Sequence, residues 1–254
     1  MGKAKDIVLK PITAKEANAL VRRVHYSGKV AHNSQLHIGV YYNGNLEGAL
    51  QFGPSLDKRK IQGLVTNTGW NDFIELNRMA LTDVLPRNSE SRALAVSMRV
   101  LKKHAPHIKW VVTFADGAQC GDGTIYRAAG FILTNISVVK NLARKDNGEV
   151  VHKMTFEISP ISTGYADINH GKNNWGGFCK IKGWELLAGY NLRYIYFIDK
   201  SYRERLTVPE LPYSEIERMG AGMYKGIPRG EGETDNAPNS NSGTEGASPI
   251  SPLL

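Results

Sequence analysis

The chain has few cysteines, no long apolar runs and, at one end, no positive charge. Cys120 and Cys179 are its only cysteines among 254 residues. Two thiols do not make a disulfide framework, and no Cys/His group has zinc-finger spacing. No apolar run approaches the roughly 18–20 residues of a membrane span, so no membrane partner is expected. The N-terminus, MGKAKDIVLKPITAKE, lacks the apolar stretch of a secretory signal. Asp6 stands where a myristoylation pattern needs Ser or Thr. These absences point to a reducing compartment inside a cell. Residues 230–254 hold no Lys or Arg and four acids, Glu231, Glu233, Asp235 and Glu245. Their Gly, Ser, Asn and Pro content predicts a disordered acidic tail.

The rest of the chain is basic. The formal net charge is +8 overall and −4 on the tail, which leaves +12 on residues 1–229. Such a body suits a polyanionic partner, nucleic acid first, although a merely soluble basic protein carries the same charge.

Thr13 with Glu16 three residues on is a capping-box spacing and predicts a helix through Val24. His37–Tyr42 and Leu46–Phe52 read as strands around a hairpin signal at Asn43-Gly44-Asn45. Residues 54–71 read as a polar loop with a basic knot at Lys58, Arg59 and Lys60. A strand is expected at Phe73–Leu81. A helix follows from Asn88 or Ser89 to His104, with an apolar stripe at Leu94, Met98 and Leu101. Trp110–Ala115 reads as a buried strand, followed by a Gly-rich loop, a short helix and a Gly130-Phe131 stop. Strands are expected at 132–138, 150–158 and 193–198. Residues 159–189, rich in Gly, Asn and aromatics, read as an insertion or lid with little regular structure. The alternation predicts an α/β fold with a mixed sheet.

Several constellations could carry chemistry. Asp116 ends a strand and Tyr126 lies on the next helix. The carboxylate could accept or orient an amine proton and the phenol could act as an acid; equally, they could be a turn carboxylate and a packed ring. Strict alternation puts Ile74, Leu76, Arg78 and Ala80 on one face of a strand, and Glu75, Asn77 and Met79 on the other. Arg78 then interrupts an apolar face and needs a partner, for which Asp116 is a candidate. The helix start at Arg87, Asn88, Ser89 and Ser91 could hold a diphosphate on its free amides, or be an ordinary capped start. His25 could serve as acid or base, or merely close the first helix. Cys120 has no base nearby in sequence and reads as a small polar loop residue. Trp175, Phe178 and Trp184 could wedge into a base stack or form a miniature core of their own, and Asn173-Asn174 offer amides for a base edge.

Tyr126-x-x-x-Gly130-Phe131, between two strands, resembles the end of the acyl-CoA-binding core of the GNAT N-acyltransferase superfamily. HYSG at His25, QFGPS at Gln51, IELNRMAL at Ile74, LPRNSESRA at Leu85, FADG at Phe114 and GTIYRAAGF at Gly123 together resemble the Mom family of phage DNA-modification proteins. IDKSYRERLTVPELPYS from Ile198 extends that resemblance. It implies a GNAT-like fold over one catalytic domain, 1–229, carrying the 159–189 insertion. It implies carbamoylmethyl-type addition to the N6 amine of adenine in double-stranded DNA, which shields phage DNA from restriction in the cytoplasm of the infected or lysogenic host. The implied cofactor is acetyl-CoA or a related CoA-type donor, held by Arg87, Asn88, Ser89 and Ser91; a metal such as iron stays open, without a clear motif. Arg78, Asp116 and Tyr126 carry over as the catalytic set, with His25, Tyr26 and Glu75 beside them. Lys58, Arg59, Lys60, Asn174 and Trp175 are the expected DNA contacts. The alternatives are a GNAT acetyltransferase acting on a protein or small amine, and a DNA-binding accessory protein without activity.

Overall fold

A computed structural model describes residues 3–117, 121–153, 175–224 and 227–228. Its centre is an eight-stranded mixed sheet. In chain order the strands are β1 (Val8–Pro11), β2 (Leu36–Tyr42), β3 (Asn45–Gly53), β4 (Phe73–Leu81), β5 (Trp110–Asp116), β6 (Ile132–Arg144), β7 (Val150–His152) and β8 (Glu185–Phe197). Their order in space is β1-β2-β3-β4-β5-β8-β6-β7. Only β4 and β5 run parallel, and every other neighbouring pair is antiparallel. A short ribbon of β9 (Met223–Tyr224) and β10 (Ile227–Pro228) lies apart from this sheet.

Local chemistry explains the first elements. Helix α1 (Ala14–Val24) opens with the capping box in place: Glu16 N–H donates to Thr13 Oγ1 at 3.3 Å, and Thr13 N–H to Glu16 Oε2 at 2.8 Å. The β2–β3 turn uses Asn43 and Gly44, both at positive φ. Residues 58–62, read as loop, form a short helix α2 (Lys58–Gln62) because Asp57 caps it, accepting Lys60 N–H at 3.3 Å. Helix α3 (Ser89–His104) buries Leu94, Met98 and Leu101 against the sheet. It carries the chain back from β4 to β5, the crossover that parallel strands require. Helix α4 (Thr124–Ala128) links β5 to β6, and α5 (Trp175–Lys182) and α6 (Ser214–Arg218) complete the α-helices among the described residues.

Three strand expectations are corrected. β1 lacks a strand signal in the sequence: it is short, mostly exposed and contains Pro11, all tolerated on a sheet edge. β6 continues to Arg144, beyond Val138. β8 starts at Glu185, so Glu185–Gly189 belong to the sheet rather than to an irregular segment. Their partners are Arg144 through Val139 on β6, which complete a long ribbon. Expected strand residues 154–158, Cys120, Asn173, Asn174 and the acidic tail lie outside the described residues.

The sheet separates two apolar layers. On one side α3 and α4, the latter through Tyr126, cover Leu50, Phe52, Leu76, Val111, Phe131 and Tyr194. On the other, α1 covers Ala49 and Ala80, while Ile61, Leu64, Val65 and Tyr202 cover Phe73, Trp110 and Val112. Among the described residues no helix is long and apolar enough to cross a membrane.

Candidate active site

Pairing between β4 and β5 is limited to Phe73, Ile74 and Glu75 against Trp110, Val111 and Val112. Beyond that point β4 stays with β3 as far as Leu81, and β5 stays with β8 as far as Asp116. Further along, Thr113 Oγ1 donates to Leu76 O at 3.4 Å. The parallel pair therefore parts toward its carboxyl ends. Loops leaving the carboxyl ends of adjacent parallel strands are where α/β sheets gather their ligands.

A bulge selects what faces this opening. Gln51 pairs with Arg78 and Phe52 with Leu76, so Asn77 is an extra residue in β4. The side-chain phase shifts there. Leu76 and Met79 pack on the α3 side, while Ala80 packs under α1. This corrects strict alternation, which sets Arg78 opposite Glu75 and Asn77. Glu75, Asn77 and Arg78 all line one cleft of about 900 Å³, together with Tyr26, Leu56 and Asp116. The far wall comes from Leu142, Glu149, Val150 and Val151 of the β6–β7 hairpin.

The cleft groups are held firmly. Arg78 Nε donates to Lys29 O at 2.9 Å and Nη1 to Asn77 O at 2.6 Å. These two guanidinium hydrogen bonds end on backbone carbonyls, which fixes the cation and leaves its field acting on the cleft. Ser34 Oγ donates to Asn77 Oδ1 at 3.0 Å. Burial pushes the Glu75 carboxyl up from its ordinary value, opposed by Ser55, Asn77 and the charge of Arg78. Asp116 ends β5 opposite Asn191, on the strand face of Val112 and Phe114, and borders the same space.

His25 closes α1 and adjoins the cleft. Ser27 N–H donates to His25 Nδ1 at 3.2 Å, so Nδ1 is an acceptor and the neutral ring carries its proton on Nε2. Burial, with the nearby Arg78 charge, lowers its pKa to about 4. A ring that is neutral at pH 7 can accept a proton there but has none to spare as an acid. Tyr26 stacks obliquely against it, centroids 4.2 Å apart, and is half exposed to the cleft.

Tyr126 lies on the opposite face of the sheet. It is 9% exposed, packed against Phe131 and Tyr194 at centroid distances of 5.7 and 5.4 Å. Tyr194 braces the entry to α4. Its Oη donates to Asp122 O, and burial, with the Asp122 charge, pushes its phenol well above the usual range. Gly123 has φ +85°, and a Cβ there would lie 2.4 Å from the Tyr194 ring, so only glycine fits. Tyr194 and Asp122 were not singled out from sequence; Gly123, at the head of the GTIYRAAGF motif, was their one visible sign.

The start of α3 stands on the Tyr126 face. Asn88 at φ +70° makes no side-chain cap bond. Ser91 Oγ donates back to Asn88 O at 3.3 Å. Ser89 is fully buried, and its hydroxyl has no hydrogen-bond partner. A 16-residue helix start lacking a side-chain cap, with an orphaned hydroxyl beside it, fits an anion held on main-chain amides. Arg87 is exposed next to it.

Of the expected DNA contacts, Arg59 and Lys60 are exposed. Lys58 lies over Trp70 at 4.6 Å and Phe73 at 5.7 Å. Trp175 stacks on Phe178 and meets Trp184 edge-on, so the aromatics of that segment form a miniature core with Ala143 and Cys179. Among the described residues no group of three His, Cys, Asp or Glu could hold a metal.

Residues 6–215 match the Mom protein family. The chain is 32% identical over 205 residues, 80% of each sequence, to the methylcarbamoylase mom of Escherichia phage Mu. Among solved structures it is similar to the ribosomal-protein-S18-alanine N-acetyltransferase of Escherichia coli, at 10% identity over 76% of this chain and 94% of that one, TM-score 0.40. It is similar also to a Bacillus subtilis acetyltransferase in complex with CoA, at 10% identity over 75% and 97%, TM-score 0.40. The chain belongs to the Mom protein family.

Proposed function

We propose that this chain is a phage DNA-modification enzyme, working in the host cytoplasm, that adds a carbamoylmethyl-type group to the N6 amine of adenine in double-stranded DNA and so shields that DNA from restriction. The observation that carries the proposal is the cleft at the parting of β4 and β5, which sets Glu75, Arg78 and Asp116 in a partly apolar wall, in a member of this family. Its volume falls within the roughly 300–1,000 Å³ of small-molecule sites, enough for one purine. The +12 of residues 1–229 suits a phosphate backbone.

Adenine N6 is a poor nucleophile because its lone pair is delocalised into the ring, so a base must take its proton as the new bond forms. Asp116 serves as that base, or orients the amine. Arg78, pinned by two carbonyls, balances the carboxylates of the cleft. Glu75, whose carboxyl burial pushes up from its ordinary value, lines the same cleft as a second carboxyl beside the substrate amine. Tyr126, on the far side of the parted strands, is the acid of the donor side. The fit of the α3 start to an anion supports a CoA-type donor on Arg87, Asn88, Ser89 and Ser91. Such a donor, when bound, would have to carry the carbamoylmethyl group preformed on its leaving group, since acyl transfer from a thioester gives an N6-acyl adenine instead.

Mass spectrometry of nucleosides from DNA co-expressed with the protein tests the proposal. A modified deoxyadenosine is expected, and its added mass identifies the group. Unmodified nucleosides in cells that contain folded protein overturn the proposal and leave an amine acetyltransferase as the reading to pursue.

A further inference from the structure

We propose that Leu56 is a wedge: it enters the base stack of duplex DNA at the mouth of the cleft and fills the gap left by an adenine turned outward. This rests on the reading of the cleft as a DNA-adenine site. Chemistry at N6 inside a duplex requires the base to leave the stack, and proteins that open base steps commonly insert an apolar side chain. Trp175, Phe178 and Trp184 are spent on one another. Leu56 is 93% exposed and lines the cleft.

A single exposed leucine ordinarily needs no explanation. The way this one is mounted supplies the argument. Immediately before it, Ser55 is buried against the Glu75 carboxyl, and Asn33 Nδ2 donates to Pro54 O. Gly53 permits that approach, since a Cβ there would lie 2.4 Å from Asn33 O and 2.7 Å from Asn77 Oδ1. Immediately after it, the Asp57 carboxylate caps α2. Leu56 is thus the tip of a turn held on both sides, one residue from a buried serine beside the cleft carboxylate. A wedge needs that stiffness, because its depth in the stack sets where the displaced base arrives.

The surroundings suit phosphates. Lys58, Arg59 and Lys60 follow directly on α2, and Trp70, half exposed, lies under Lys58. An apolar tip with cations beside it matches a base step next to its phosphate backbone.

The test uses the full chain and a short duplex carrying 2-aminopurine opposite thymine, whose fluorescence rises when the base unstacks. The wild type is expected to raise it. Leu56→Ala should bind the duplex with unchanged salt dependence and lose the rise, and Leu56→Met should restore it. Adenine modification in cells should fall and recover in the same two variants. Leu56 is exposed, so neither substitution threatens the core. An equal rise with Leu56→Ala overturns the wedge, as does loss of duplex binding itself, which would mark a backbone contact. A wild type that modifies DNA in cells yet leaves the probe stacked overturns the wedge alone. Unmodified nucleosides from wild-type cells overturn the underlying reading and the wedge with it.

Discussion

The two faces of the sheet at the β4–β5 parting differ in kind. The cleft face gathers Glu75, Arg78, Asp116 and Tyr26 around open space, with His25 beside it. The α3–α4 face is closed: Tyr126 sits among Phe131 and Tyr194, and the polar feature there is the start of α3 with its orphaned Ser89 hydroxyl. One face has charge whose protonation the fold has shifted; the other has a helix start without a side-chain cap and a packed phenol. Under the proposed function the substrate amine belongs to the first face and the donor to the second, with the gap between the strands as their meeting point.

Asp116→Asn should break this assignment most severely if it is wrong. The amide is nearly isosteric but cannot take a proton. A fall of about 10²–10⁴ in modification is expected, read by nucleoside mass spectrometry, with DNA and CoA affinity unchanged. Activity within a few-fold of wild type would move the base to Glu75.

How much of this was legible beforehand depends on whether each feature is local. The capping box, the Asn43-Gly44 turn and the α3 stripe are rules that a few neighbouring residues satisfy by themselves, and they form where expected. The bulge at Asn77 is not such a rule. It is set by how β4 pairs with β3, so a reading of β4 alone puts Arg78 on the wrong face. Likewise, the stretch from Glu185 to Gly189 becomes strand only because β6 runs alongside it. Arg78, Asp116 and Tyr126 could be named from their motifs. That two share a cleft while the third lies across the sheet required the topology.

The second prediction concerns the protonation of the cleft face. His25 has a folded-state pKa of about 4 against an ordinary 6.5. Above pH 6.5 neither state holds the extra proton, and the full stability is present. As pH falls from 6.5 toward 4 the unfolded chain takes up a proton that the folded chain refuses, so stability is lost, by at most about 3 kcal/mol. Urea unfolding of His25→Asn, which retains an acceptor for Ser27 N–H, should lack this component of the acid slope. An identical slope in both proteins would show that burial of the imidazole does not shape the cleft. Arg78→Gln should move the His25 titration, followed by NMR, back toward its ordinary value.

A third prediction separates both faces from the outer surface. Replacing Lys58, Arg59 and Lys60 together with Gln should flatten the plot of log affinity for duplex DNA against log salt, by up to about 2.7 in slope if each meets one phosphate. Lys58 is partly engaged with Trp70 and Phe73, so a smaller change, near two charges, would mark Arg59 and Lys60 as the ones that count. An unchanged slope would place the backbone elsewhere on the basic body.

The smallest effect is the sharpest test of the donor face. Ser91→Asp puts a carboxylate in the first turn of α3, where the helix dipole and uncapped amides favour negative charge. On its own this substitution should hold or slightly raise thermal stability. The same charge would repel a diphosphate seated there, so CoA affinity, measured by calorimetric titration, should fall about tenfold, in line with the ~1–2 kcal/mol such sites carry. Stability and binding thus move in opposite directions, which no general damage to the fold can imitate. Duplex affinity should stay the same, because the DNA side lies across the sheet. CoA binding that survives the added charge would detach the donor from α3 and leave Ser89 as a buried hydroxyl with some other partner to find.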